Sequence, residues 1–461
     1  MVNGHSVRWR TMIAASALLV SASALPASAA SDGDLATRVS ALEAMVNRLN
    51  TELVETRAEN KALAAQVAEQ ASTQSAAVTT AAALDQAPPG ADPSASTPQP
   101  AEGFRVGETN LKIYGFADLE VTTTRFGDGS VASDSIARDF YIPGATPIGG
   151  DGTTSTDFTA QASRFGIAAD REVAGRTLSG LIEMDFLGSL QGNERVSNSY
   201  SPRLRRAFGD YAGWRVGQDW STFQNTSAIP ESASFLVMSD GMVFIRQPLI
   251  RYTHGAFQAA LENPETTVTE VGGSRIDSDT NYLPDGVLRY NLKGDFGNLS
   301  LAALMRELRI DQSGSEDAAF GWGLSASGRL NLWGEDDLRF NIVGGEGVGR
   351  YVGLNAINGA ALNPTTGDLD AISSIGGFAA YHHAFSDVLT GNIGYSGLFA
   401  DNPDFIGGSA TKSVQSVYAA LLWDVVPDLR LGGEIMFGRR ALENGDDGTL
   451  NRFTVSTRYS F

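Results

Sequence analysis

The sequence predicts an all-β chain: a transmembrane antiparallel β-barrel of about sixteen strands, preceded by an N-terminal α-helical coiled coil. Three observations carry this. Residues 104–461 alternate apolar and polar side chains in short runs, separated by breaks rich in Gly, Asn and Asp. The breaks alternate between short and long. The chain opens on an export signal, yet no later stretch approaches the ~18 apolar residues that a membrane-spanning helix needs.

The export signal occupies residues 1–29. Arg8 and Arg10 form a positive start, Met12 to Leu25 an apolar stretch, and Ala27-Ser28-Ala29 a small-x-small cleavage site. Residues 30–70 follow as a predicted periplasmic coiled coil. Leu35, Val39, Leu42, Val46, Leu49, Leu53, Thr56, Asn60, Leu63, Val67 and Gln70 step by four and three, the 3.5-residue period of such helices. Residues 71–103 are rich in Ala, Ser, Thr and Pro, and read as an extended spacer.

The barrel domain is expected over residues 104–461. Candidate strands fall near 110–124, 157–170, 176–187, 202–211, 213–219, 242–252, 256–263, 285–294, 297–310, 319–332, 337–345, 372–384, 388–399, 412–424, 428–439 and 450–461. The last is the clearest. Phe453, Val455, Thr457, Tyr459 and Phe461 share one face, and Thr454, Ser456, Arg458 and Ser460 the other. Lipid requires that pattern, because every backbone N–H and C=O in hydrocarbon must pair internally and only helices and closed barrels achieve it. Short turns on one rim and long loops on the other complete the expectation, the longer breaks including 311–318 and 440–449. An even strand count puts both barrel ends on the short-turn, periplasmic side.

Composition narrows the function. The chain has 0 Cys, so disulfides and thiolate metal sites are excluded. Its net charge is -19, and two units more negative once the signal leaves, which disfavours a nucleic-acid partner. An enzyme needs a nucleophile–base pair or a metal site. Only 4 His are present, of which His382 and His383 are adjacent and so face opposite sides of a strand. No enzyme activity and no cofactor is expected. The partners expected are outer-membrane lipid and small hydrophilic solutes passing through the barrel. A structural role, in which the coiled coil grips peptidoglycan and the barrel anchors it, is the alternative.

Alternation also assigns the barrel interior. Lys112, Asp118 and Glu120 share the water-facing side of the first strand, and Arg164, Arg203, Arg205, Arg289 and Arg339 point inward on theirs. Arg206 then falls on the outward face, which suits only a rim or a contact between protomers. The inward arginines either draw anions through a narrow pore or pair with neighbouring acids and brace the wall. As a group they favour an anion-preferring channel. The segment Ser221 to Gly241 is too long for a turn and contains Phe223, Pro230, Phe235 and Leu236. It either folds into the barrel and narrows it or forms a solvated loop.

Several motifs carry a family resemblance. They are Lys112-Ile113-Tyr114-Gly115-Phe116, then Val216-Gly217-Gln218-Asp219-Trp220-Ser221-Thr222-Phe223, Ile229-Pro230-Glu231, and Phe244-Ile245-Arg246-Gln247-Pro248-Leu249-Ile250-Arg251-Tyr252-Thr253. Together with the coiled coil, they resemble the DcaP-like trimeric outer-membrane porins. The resemblance implies a homotrimer with sixteen-stranded barrels that takes up small anions such as dicarboxylates. It places the loop with Trp220, Ser221, Phe223, Pro230 and Glu231 in the pore, and Arg246 and Arg251 near its narrowest part. Strict alternation cannot turn both arginines inward, since they are five apart, and a bulge at Pro248 is expected to reconcile them.

Overall fold

A computed structural model describes residues 103–461, apart from 189–191, 194–197 and 313–314. The export signal, the coiled coil and nearly all of the spacer lie outside the described residues. Sixteen strands form the barrel. They are β1 (Thr109–Phe126), β2 in two pieces (Thr154–Thr159 and Arg164–Val173), β3 (Arg176–Asp185), β4 (Arg203–Tyr211), β5 (Trp214–Trp220), β6 (Arg246–His254), β7 (Phe257–Glu262) and β8 (Asp285–Gly294). The second half comprises β9 (Gly297–Gln312), β10 (Ser315–Asn331), β11 (Asp337–Glu346), β12 (Ser373–Ser386), β13 (Leu389–Asp401), β14 (Thr411–Val426), β15 (Leu429–Leu442) and β16 (Asp447–Ser460). Each pairs antiparallel with its predecessor, and β16 closes the barrel on β1 from Phe116↔Ser460 to Phe126↔Leu450.

Every strand expected from the alternation is present, and the exceptions concern its limits. β9 and β10 run on to Gln312 and Ser315, and β15 and β16 are joined across residues 443–446. The long breaks expected at 311–318 and 440–449 are therefore short. A backbone ladder needs no apolar face once it rises above the lipid, so polar residues such as Glu307, Arg309 and Asp311 stay in strand. The tight turns are conventional: Ala212 and Gly213 both sit at positive φ (54° and 89°), the two-residue turn that suits twisted antiparallel strands.

The outside is apolar. Ile113, Leu119, Ile182, Val216, Ile250, Leu301, Leu324, Ile342, Ile393, Leu421 and Val455 are all exposed. Two aromatic girdles bound this band. Trp214, Phe257, Phe296, Trp333, Phe385, Trp423 and Tyr459 lie towards the short turns, and Phe158, Phe320, Trp322, Phe399 and Phe437 towards the long loops. On the opposite faces of the same strands Thr122, Glu183, Asp219, Gln247, Asn341, Ser396 and Thr454 are buried. The molecule is thus built with its polar residues inside, as a lipid solvent demands.

Three loops fill part of that interior. Residues 221–245 bond to inward residues of strands round more than half the barrel. Asn225 Nδ2 donates to Asn298 Oδ1, Arg339 to the Ile229 carbonyl, Asn341 Nδ2 to the Gly241 carbonyl, and Tyr418 Oη to the Glu231 carbonyl. Residues 127–153 and 347–372 pack beside it. Phe223, Val243, Tyr351, Val352 and Ile357 form one apolar core against Val287, Leu304, Val343, Leu398 and Val414 of the wall. Phe140, Tyr141, Leu236, Met238 and Met242 form a second against Phe378, Tyr418 and Met436. Above them Thr266–Thr269, Arg275–Ser278, Ala360–Leu362 and Leu369–Ala371 make a small four-stranded sheet from two loops.

Candidate functional site

The other side of the interior, along β1 to β6, is lined with charge. Two irregularities shape it. β2 breaks at 160–163, where Ser163 Oγ accepts the Asp118 N–H at 3.0 Å. In β4 the ladder passes from Glu183↔Arg206 to Met184↔Leu204 and skips Arg205. This bulge shifts the parity, so Arg205 and Arg206 both turn inward. The expected outward placement of Arg206 is corrected accordingly: strict alternation assumed an unbroken register, and one extra residue moves all that follow to the other face.

The upper part of this wall gathers five arginines. Arg203 binds Asp185 through Nε and Nη2, both at 2.9 Å. Arg205 Nε donates to Glu183 at 2.9 Å and its Nη1 to Asp185 at 2.7 Å. Arg164 lies 4.0 Å from Glu183, with its guanidinium 5.0 Å from the centre of the Phe116 ring. Arg458 stacks on the same ring at 4.4 Å and binds Asp118 at 2.5 Å. Arg246 is different. It lies 4.6 Å from the centre of the Trp220 ring and 5.9 Å from that of Phe244, with Nη1 buried and no protein partner for that nitrogen. Among the described residues no carboxylate is within ion-pair reach of it, and the charges acting on it most strongly are those of Arg205 and Arg203.

No bulge occurs at Pro248. The ladder from Arg246↔Trp220 to Tyr252↔Trp214 is unbroken. Arg251 faces inward, and Arg246 is the first residue of its strand, where the chain leaves the ladder and its long side chain lies over Trp220. Strand termination, and not a bulge, therefore reconciles the two.

Lower on the wall one buried carboxylate holds three arginines. Asp219 accepts from Arg206 at 2.7 Å, Arg215 at 2.5 Å and Arg251 at 2.8 Å. Arg215 also grips Asp210 with two bonds of 2.7 Å and lies 3.8 Å from the centre of the Phe208 ring. Arg289 uses neutral partners: Asn291 Oδ1 at 2.7 Å, Ser300 Oγ at 2.6 Å and the Gln224 carbonyl at 2.6 Å. Arg339 stands apart from both groups, bonded to Asp337 at 2.9 Å and to Glu231 at 3.1 Å. There it braces the loop.

The loop residues singled out by sequence fall within this frame. Trp220 ends β5. Ser221 donates its N–H to the Ile245 carbonyl at 3.0 Å, and Phe223 meets Tyr351 edge-on with ring centres 5.9 Å apart. Pro230 is buried, and Glu231 also reaches Arg430 at 3.5 Å. The loop is seated at Asp240 and Gly241. Tyr141 Oη donates to Asp240 Oδ1 at 2.7 Å, Ser416 Oγ donates to Oδ2, and Gly241 donates its N–H to Ser396 Oγ at 2.8 Å. Burial, with no cation to offset it, pushes the Asp240 carboxyl up to about 7. Asp118 and Glu120 do not face open water as expected. They are 3% and 1% exposed, and Glu120 has no hydrogen-bond donor on either oxygen. Strand parity is blind to a covering loop.

Arg215 was missed by the reading of the sequence, and Arg458 was placed on the inner face of the last strand but not counted among the anion-selecting residues. Trp214-Arg215-Val216 and Thr457-Arg458-Tyr459 carry the signal that marked the others, an arginine between outward-facing residues. His382 and His383 do face opposite ways: His382 is buried against Asn392 at 3.1 Å, and His383 pairs with Asp336 at 2.9 Å.

A closed sixteen-strand barrel, apolar outside and polar within, with a loop seated inside it, defines an outer-membrane channel of the porin fold. The DcaP outer membrane protein family model matches residues 74–461, and the chain belongs to that family. Among solved structures, the outer membrane channel DcaP of Acinetobacter baumannii is 20% identical with a TM-score of 0.64, covering 78% of this chain and 100% of its own. The anion-selective porin from Comamonas acidovorans is 14% identical with a TM-score of 0.48, covering 77% and 100%. No curated protein matches the sequence.

Proposed function

We propose that this chain is a homotrimeric diffusion channel that prefers small anions, carboxylates above all. The observation that carries the reading is the upper arginine group. Arg164, Arg203, Arg205 and Arg246 face Glu183 and Asp185, so cations outnumber acids two to one, and Arg246 has no acid of its own. In a narrow low-dielectric passage the local potential decides which ions enter, whatever the net charge of the whole chain. Asp118 and Glu120, buried beside Arg458, do not offset it at the water-accessible surface. The loop that leaves the wall at Trp220 and bears Ser221, Phe223, Pro230 and Glu231 crosses the interior and narrows the passage.

The test is the reversal potential of the purified protein in planar bilayers under a KCl gradient. Conductance steps should come in threes, with anions favoured. Arg246→Gln should lower the anion-to-cation permeability ratio about two- to threefold. A wild-type preference for cations at neutral pH would overturn the reading.

A further inference from the structure

We infer that the arginine wall holds two adjoining anion sites, and that the lower one, built round Asp219, is a second station for small carboxylates on their way to the short-turn mouth. This rests on the anion-channel reading above and goes beyond it. The upper station is Arg164, Arg203, Arg205 and Arg246. The lower one comprises Arg206, Arg215, Arg251 and Arg289. Asp219, the centre of the lower station, lies opposite Gln247, one residue along β6 from Arg246, so the two stations adjoin, and Arg251 reaches Asp219 from the short-turn side.

The lower station has the chemistry of a carboxylate receptor because it already holds a carboxylate. Three guanidiniums converge on Asp219, in the geometry an incoming carboxylate requires, and Asp219 itself is 2% exposed. The cradle is not neutralised. Asp210, Asp219 and the more distant Glu262 face four arginines, and Arg289 has only neutral partners. Nor is it sealed: the side chains of Arg206 and Arg215 are 18% and 17% exposed. Phe208 lies beneath both and holds their planes, with ring-centre distances of 5.2 Å and 3.8 Å.

Asp219 then has a kinetic task. It competes with the solute for the same N–H groups, so a carboxylate arriving from the upper station is held weakly and leaves quickly. A channel needs sites that are favourable enough to enter and weak enough to leave, and an occupied neighbouring site hastens exit by repulsion. Without the resident acid, the lower station becomes a trap.

The experiment uses the full-length protein in a planar bilayer with potassium succinate as the probe, added to either side in 0.1 M KCl. Asp219→Asn should lengthen succinate blocks at least tenfold. Arg289→Gln and Arg206→Gln should each lower the association rate from the short-turn side about threefold, and Arg246→Gln should lower it from the long-loop side. Arg289 does not touch Asp219, so Arg289→Gln decides the matter even where Asp219→Asn fails to insert. The second station is overturned if Arg289→Gln and Arg206→Gln leave succinate kinetics unchanged from both sides while Arg246→Gln weakens binding. A cation-selective wild type overturns the channel reading itself, which keeps the two failures distinct.

Discussion

The two inner walls of this barrel obey opposite rules. Along β1 to β6 the interior is a lattice of guanidiniums and carboxylates with aromatic rings between them. Along β8 to β15 it is a pair of apolar cores, built where loops 127–153, 221–245 and 347–372 press on inward residues such as Val287, Leu304, Val343, Phe378 and Met436. The outer face is uniformly apolar on both sides. Lipid thus constrains only the outside. The inside is polar where water and solute run, and apolar where protein covers it. The channel follows the uncovered wall, and the covered wall holds the loop that faces it.

The strongest way to break this division is to unseat the loop. A side chain at Gly241 would place its Cβ 2.1 Å from the Gly377 nitrogen and 2.4 Å from the Gly397 oxygen, contacts with backbone that cannot yield. Gly241→Val should therefore release the loop and raise single-channel conductance severalfold with loss of anion preference. An unchanged conductance would show that the loop does not set the channel width.

On the polar wall the question is pairing. Arg205→Ala leaves Glu183 and Asp185 buried without their shared partner, a loss of about 3–5 kcal/mol. Adding Glu183→Gln should recover most of that loss in thermal unfolding in detergent. If the double variant is no more stable than the single one, the lattice is not held by charge balance.

On the apolar wall Phe223→Ala should cost about 3 kcal/mol through the cavity it leaves beside Tyr351 and Val348. Recordings should show a flickering current while the barrel keeps its heat resistance. A quiet current would mean that this core does not hold the loop.

The smallest effect is a dependence on pH. Asp240 keeps its proton in the folded state up to about 7, against 3.8 for an ordinary aspartate. The folded state therefore binds more protons between those values. Its stability is full below about pH 4, falls as pH rises towards 7 and is flat above, by on the order of a few kcal/mol at about 1.4 kcal/mol per unit. Melting at pH 5 and pH 8 should reveal the slope, and Asp240→Asn should flatten it.

Much of this was legible along the chain. Period-2 alternation gave all sixteen strands, and the flanks of Arg164, Arg203, Arg289 and Arg339 gave their inward direction, because the pleat ties parity to face. The register failed at single residues. Arg206 faces inward because of the bulge at Arg205, which no composition signals. Arg246 and Arg251 are reconciled by the end of a strand and not by a bulge at Pro248.

What the amino-acid sequence determined by itself was the kind of molecule. The even strand count, the lipid-facing side and a wealth of inward arginine all follow from local order, since each depends on a residue and its immediate neighbours. What only the tertiary structure decided was which charges remain free. Arg339 is spent on Glu231, Arg203 and Arg205 on Asp185, and Arg246 alone of the upper group has no acid partner among the described residues. Pairing joins residues on different strands and loops, and its outcome depends on distances of a few ångströms that linear order does not encode.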